Sequence, residues 1–192
     1  MLNQTNSFFK TEKNFSASRT VLFDTCSVLE GDSFAECMKT LLTSHDEQNK
    51  IIVLSSVIQE LRYLLDSDAS TCREKARQAL ADLQLLGQAK AITIAGNPED
   101  AEQADRSILK WITVNRMRPH FHDKILVVTQ DKQLAADVLM LNHLATLPNL
   151  PAVSTRKIGY RGKLVSLFEN NPKNHVPQNN VRDILKTYGV TS

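Results

Sequence analysis

Cysteines, aromatics, net charge and long apolar runs are all in short supply in this chain of 192 residues, and each scarcity excludes something. Three cysteines, Cys26, Cys37 and Cys72, stand far apart, with no CxxC pair and no zinc-like Cys/His spacing. That speaks against a disulfide framework or a structural zinc site; free thiols in a reducing compartment, the cytoplasm, are the expectation. The polar stretch from Met1 to Arg19 lacks the apolar run of about 7–15 residues that a signal peptide requires. No segment approaches the roughly 18 apolar residues of a membrane span, so no membrane contact is expected. Aromatics make up only 6% of the chain. Trp111, Phe121 and Tyr160 are therefore weighed first as packing residues and only second as platforms for stacking bases.

Net charge is +2, but it is unevenly spread. From Thr155 to Ser192 there are seven Lys/Arg against two acids, whereas residues 1–154 carry 16 basic against 19 acidic side chains. A mildly acidic body with a basic tail suits a polyanion, and equally suits a tail that is merely solvated. Three regions are expected: a polar arm over residues 1–18, a folded domain over 19–155, and a basic extension over 156–192.

What is present is an alternation of short apolar runs and amphipathic stretches. Val21-Leu22-Phe23, Ile51-Ile52-Val53-Leu54, Ala91-Ile92-Thr93-Ile94 and Ile125-Leu126-Val127-Val128 read as buried strands, with Ala152-Val153-Ser154 a candidate fifth. Between them, Phe34, Met38, Leu41 and Leu42 mark one helix, and Val57, Leu61, Leu64 and Leu65 the apolar face of another. Capping boxes are read at Ser56/Gln59 and at Thr71/Glu74, with a helix stop at Gly87. Asn97-Pro98 is expected to open a long helix reaching about Met117, and a further helix follows Asp131 through Leu141. Weaker helical patterns lie over 164–169 and 181–188. The alternation predicts an α/β fold: a central parallel sheet of four to five strands with helices on both faces.

In such a sheet, ligands bind beyond the carboxyl ends of the strands. Asp24 closes the first strand, Asp131 lies three residues past the fourth, and Glu60 stands one turn into the helix after the second. Asp105 follows Ala101 and precedes Ile108 and Ile112 at helical spacing, which places a carboxylate in a core-facing stripe. Two carboxylates about 4 Å apart repel by roughly 4 kcal/mol at an effective dielectric near 20, so four gathered together call for a cation. All-oxygen ligands select Mg²⁺ or Mn²⁺ over zinc, and such ions suit phosphodiester hydrolysis. Taken singly, each acid has a plainer use: Asp24 and Asp131 as helix caps, Glu60 as a solvated residue, Asp105 in a salt bridge. Arg116, Arg118, Lys132, Arg156 and Arg161 are candidates for phosphate contact.

The segments VLFDTCSVL, VLSSVIQELRYL, ADRSIL and VVTQDKQLA, spanning about Val21 to Leu141, resemble the motifs of the PIN-domain family. That resemblance implies a three-layer α/β/α domain and an endoribonuclease in which Asp24, Glu60, Asp105 and Asp131 hold one or two Mg²⁺ or Mn²⁺ ions. Thr129 would orient a carboxylate or water, with Ser27 and Asp137 in supporting places; Asp123 also flanks the last motif. Cys26 departs from the pattern, because many members have Asn or Ser there. RNA is the implied substrate; toxin members pair with an antitoxin, others serve RNA processing, and another protein partner or a homodimer fits as well. The alternative reading is a catalytically silent PIN-like module that binds RNA or a protein.

Overall fold

Three apolar runs, each too continuous for a sheet with one wet face, form the centre of the molecule. In a computed structural model that describes residues 18–44, 48–97, 103–143 and 150–168, they are β1 (Arg19–Phe23), β2 (Asn49–Leu54) and β4 (Lys124–Val128). β3 (Thr93–Ala95) and β5 (Val153–Ile158) extend the sheet, and β6 (Leu164–Val165) closes it in the order β3-β2-β1-β4-β5-β6. All pairings are parallel except β5 with β6. The expected parallel sheet is present, with one short antiparallel strand beyond the four to five expected.

Six helices connect the strands: α1 (Thr25–Val28), α2 (Asp32–Thr43), α3 (Ser55–Leu64), α4 (Ser70–Gln88), α5 (Ala104–Arg116) and α6 (Lys132–Met140). From β1 the chain steps outward through β2 to β3, then returns to β4 on the other side and steps to β5. Because such crossovers are right-handed, the two directions of travel put helices on opposite faces of the sheet. The gap between β1 and β4 is then the topological switch point. Register sharpens this edge: Phe23 pairs with both Val53 and Val128, so three neighbouring strands end nearly level. Beneath that edge Val21, Leu22, Phe23, Val53, Val127 and Val128 are fully buried, and the Phe23 ring meets Phe34 of α2 edge-on at 5.2 Å.

Several local expectations change. Helices α3 and α4 start at Ser55 and Ser70 without a side-chain cap, so neither capping box forms. α4 ends at Gln88, one residue past the expected stop at Gly87, and the left-handed residue that closes it is Lys90, with φ 56° and the Ala91 amide donating to the Leu86 carbonyl at 2.9 Å. Residues 98–102 are outside the described residues, and α5 is seen from Ala104 onward. Helix also gives way to strand over 164–165. Arg161 and Gly162 both take left-handed φ values, 54° and 70°, which reverses the chain and pairs Ile158 with Leu164. Gly162 seats this turn against α2: a Cβ there would collide with the backbone of Glu36 and Cys37. β5 runs through Ile158, so Arg156 and Lys157 are sheet residues. The arm before Ser18 and the pattern over 181–188 lie outside the described residues.

Candidate active site

Asp24 leaves the sheet where β1 ends, as the N-cap of the short helix α1. It is 4% exposed, and three donors hold its carboxylate. The Thr25 amide donates to Oδ1 at 2.6 Å, while the Cys26 thiol and the Thr129 hydroxyl donate to Oδ2 at 2.7 and 2.9 Å. Burial pushes the Asp24 carboxyl upward, with the charge of Glu60 adding to it, against the pull of these hydrogen bonds.

Cys26 thus fills the place of the expected Asn or Ser as a donor. Its thiol is pushed up to about 11, by burial first and then by the charge of Asp24, so it keeps the hydrogen it donates. The Gln130 amide in turn donates to its sulfur at 3.2 Å.

Past β4, Thr129 is fully buried and its hydroxyl also accepts from the Asp131 amide at 2.9 Å. Asp131 is the N-cap of α6, and its Oδ1 accepts from Gln133 and Leu134 amides at 2.6 and 3.1 Å. Both aspartates therefore do the plainer capping job as well. Capping takes one oxygen of Asp131 and leaves the other without a donor among the described residues.

Glu60 stands on α3 beside the buried Val57 and Leu61, at the rim of the apolar face as its spacing predicts. The Thr25 hydroxyl donates to Oε2 at 2.6 Å and the Ala104 amide to Oε1 at 2.8 Å. One carboxylate thereby ties α1, α3 and the first turn of α5, where it also meets the positive end of the helix dipole.

Asp105 corrects an expectation. The buried stripe of α5 is Ala104, Ile108, Ile112 and Asn115, so Asp105 flanks the stripe and is exposed. Its carboxyl is nonetheless pushed up to about 6, by desolvation first and then by Asp24, Asp131, Glu60 and Asp137. A single cavity of about 370 Å³ explains the shared repulsion: Asp24, Glu60, Asp105 and Asp131 all line it, together with Thr25 and Cys26. Among the described residues no Lys or Arg lines it. Side chains more than a hundred positions apart thus meet at one pocket lined by four acids.

Other expected residues are distributed differently. Asp137 accepts from the Gln133 side chain at 3.0 Å and adds to the field on Asp105 without lining the cavity. Ser27 is fully buried, its hydroxyl has no partner among the described residues, and it does not line the cavity. Asp123 sits at the opposite, amino edge of the sheet. Burial opposes its ionisation, but bonds from Lys50 and Thr20 outweigh that and keep it below the usual carboxylate range.

Among the cationic residues, Lys132 adjoins Asp131, and exposed Arg156 adjoins Thr129, whose amide donates to the Arg156 carbonyl at 3.0 Å. Arg161 lies over the exposed Tyr160 ring at 5.1 Å, beyond the end of β5. Arg118 follows α5 and is not among the residues that line the cavity of the acids. Arg116 is only 6% exposed and donates to the Leu141 carbonyl at 2.9 Å, so it fastens α5 to α6 instead of offering a surface charge.

A carboxylate pocket at the switch point of a mostly parallel sheet defines the class: an α/β domain with its acids gathered where such sheets bind ligands. The profile of the PIN domain family matches residues 21–143, and the chain belongs to that family. Its members are generally nucleases. Eighteen chains of known structure are similar to it. One is the PIN domain endonuclease Utp24, 16% identical, with 76% of this chain and 88% of that one covered at a TM-score of 0.49. Another is a domain of a functionally unknown protein from Methanocaldococcus jannaschii DSM 2661, 17% identical, covering 71% and 90% at a TM-score of 0.45. No curated protein sequence matches the chain. No helix among the described residues is long and apolar enough to cross a membrane.

Proposed function

We propose that the protein is a metal-dependent endoribonuclease whose site residues are Asp24, Glu60, Asp105 and Asp131, acting in the cytoplasm. The single observation that carries this reading is the convergence of the four carboxylates on one cavity, with no lysine or arginine in its lining among the described residues. The Asp105 carboxyl, pushed up to about 6 by desolvation first and by the neighbouring acids after it, supports the same reading. The donor set is carboxylate oxygen throughout and therefore fits a hard cation, Mg²⁺ or Mn²⁺. Bound there, such an ion supplies a hydroxide nucleophile at neutral pH and neutralises charge on the leaving oxygen.

The chain's own residues prepare that chemistry. Thr129 and Cys26 fix one oxygen of Asp24 and so set the plane of its carboxylate. Glu60 holds the first turn of α5 in place and with it Asp105. Lys132 and Arg156, on the same edge, are placed to meet flanking phosphates of an RNA chain, sequence-independently. Asp105, half of it protonated near pH 6, is fully ionised only above that range.

The test is cleavage of a mixed RNA pool with and without Mn²⁺. Wild type is expected to cut only with the metal, and Asp24→Asn to retain its fold and lose activity. Cleavage persisting in that variant removes the proposal.

One observation favours a second reading, a silent PIN-like module that binds RNA or a protein partner. Among the described residues no three acidic, histidine or cysteine side chains stand as a ready-made ligand group, and both oxygens of Glu60 already accept protein hydrogen bonds. Calorimetry separates the two: absent Mn²⁺ binding with RNA binding intact in EDTA selects the module.

A further inference from the structure

A second groove opens on the other side of α5. It has a volume of about 320 Å³, within the range of roughly 300–1,000 Å³ typical of small-molecule sites. One wall is the end of β2 with the start of α3, Leu54 to Ser56, and the other is the face of α5 bearing Trp111 and Val114. Arg118 stands at its far end.

Two features mark it as a ligand site and not a simple furrow. Ser56 is 3% exposed, lines the groove, and its hydroxyl has no hydrogen-bond partner among the described residues. An unmet buried hydroxyl is a penalty that a hydrogen-bonding ligand relieves. Independently, the lining combines an apolar, aromatic wall with guanidinium at one end. The Trp111 ring is braced edge-on by Phe121 at 6.0 Å and 81°, so its orientation is set before anything binds. Flat base, hydroxylated sugar and phosphate are the three parts that such a lining accepts at once.

We propose that this groove binds one nucleotide of the RNA chain, its base against Trp111 and Val114 and its phosphate toward Arg118. The assignment rests on the endoribonuclease reading and extends it. α3 carries both Ser56 and, about one turn on, Glu60; α5 carries both Asp105 and the groove-lining Ser107. A strand laid across the start of α5 therefore reaches the groove and the carboxylates together.

Trp111 is the chain's single tryptophan, so its fluorescence reports the groove alone. The full-length protein in EDTA is titrated with each of the four ribonucleoside 5′-monophosphates and, separately, with inorganic phosphate. At least one nucleotide is expected to change the emission saturably, while phosphate at equal concentration does not. Arg118→Glu removes a charge-assisted bond and weakens that nucleotide about tenfold. Ser56→Ala is expected to weaken it too while raising the melting temperature of the free protein, a pairing that a purely structural serine would not give. No saturable response to any of the four, a response to phosphate alone, or equal binding by Arg118→Glu overturns the proposal. Monophosphates contain no internucleotide bond and EDTA withholds the metal, so an inactive enzyme leaves this titration unchanged. Conversely, Mn²⁺-dependent RNA cleavage with a KM unaltered by Arg118→Glu dismisses the groove and spares the nuclease.

Discussion

Thr129 and Asp24, 105 positions apart, are joined by a 2.9 Å hydrogen bond from hydroxyl to carboxylate, and the same hydroxyl accepts from the Asp131 amide. One side chain thus sets two of the four acids. Replacing it with valine keeps the shape but leaves the buried Asp24 Oδ2 with the Cys26 thiol alone and the part-buried Asp131 amide without its acceptor. Thr129→Val is expected to lower stability by about 1–3 kcal/mol, read by urea denaturation. It should also cut Mn²⁺-dependent cleavage more than Val138→Ala, a core change on α6 with no link to the acids; equal losses in the two would show Thr129 to be packing alone.

Glu60 offers a way to separate scaffold from chemistry. Its Oε1 receives the Ala104 amide, and glutamine preserves that acceptor while removing the charge. Glu60→Gln should therefore stay within about 1 kcal/mol of wild type, whereas Glu60→Ala, which frees the start of α5, should lose about 1–3 kcal/mol. Both are expected to abolish cleavage. An active Glu60→Gln would assign the residue to scaffolding alone.

The carboxyl of Asp105 is held up at about 6 against an ordinary value of 3.8. At this group the folded protein consequently binds more protons than the unfolded chain between those values. The contribution of Asp105 to stability without metal then falls as pH rises through that window and levels off above it, with Asp24, also raised, acting in the same sense and Asp123, held low, in the opposite one. Asp105→Asn should make this fall shallower, melting above wild type at about pH 7–8 and close to it at about pH 4. Added Mn²⁺ should raise the wild-type melting point at about pH 7–8 and have a much smaller effect on the variant. Parallel melting curves across the range would refute the shared-field account.

Two glycines make opposite predictions from geometry. A methyl group at Gly162 would strike the backbone of α2 at a φ of 70°, so Gly162→Ala should cost at least about 2 kcal/mol. At Gly87, inside α4, a methyl group meets nothing, and Gly87→Ala should gain about 0.5–1 kcal/mol from helix propensity. Thermal unfolding of the two variants decides both.

The strands around the site were legible because a parallel sheet buried on both faces demands uninterrupted apolar runs, and Val21–Phe23 and Ile125–Val128 have no other use. Asp24, Glu60 and Asp131 followed from their places relative to strand ends. Asp105 was found by its spacing from Ile108 and Ile112, yet the reason given for it was mistaken, since Ala104 heads the buried stripe. What periodicity could not reveal is which hydroxyl or thiol points at which carboxylate. Thr25 and Cys26 became site residues only through contacts made by a three-residue turn, although a hydroxyl and a thiol directly after a strand-ending Asp were the available hint. The 164–165 strand was hidden for a related reason: Arg161 adopts a left-handed conformation that its residue type gives no cause to expect.

Level ends of β1, β2 and β4 have a temporal corollary. Asp24 emerges from the ribosome early, but its pocket lacks a wall until β4 pairs beside it and Asp131 follows. Every shorter nascent chain, and every product of premature termination before that point, carries an incomplete set of acids. The four-acid pocket therefore exists only after the start of α6 has been made, a consequence of where Asp131 falls in the chain.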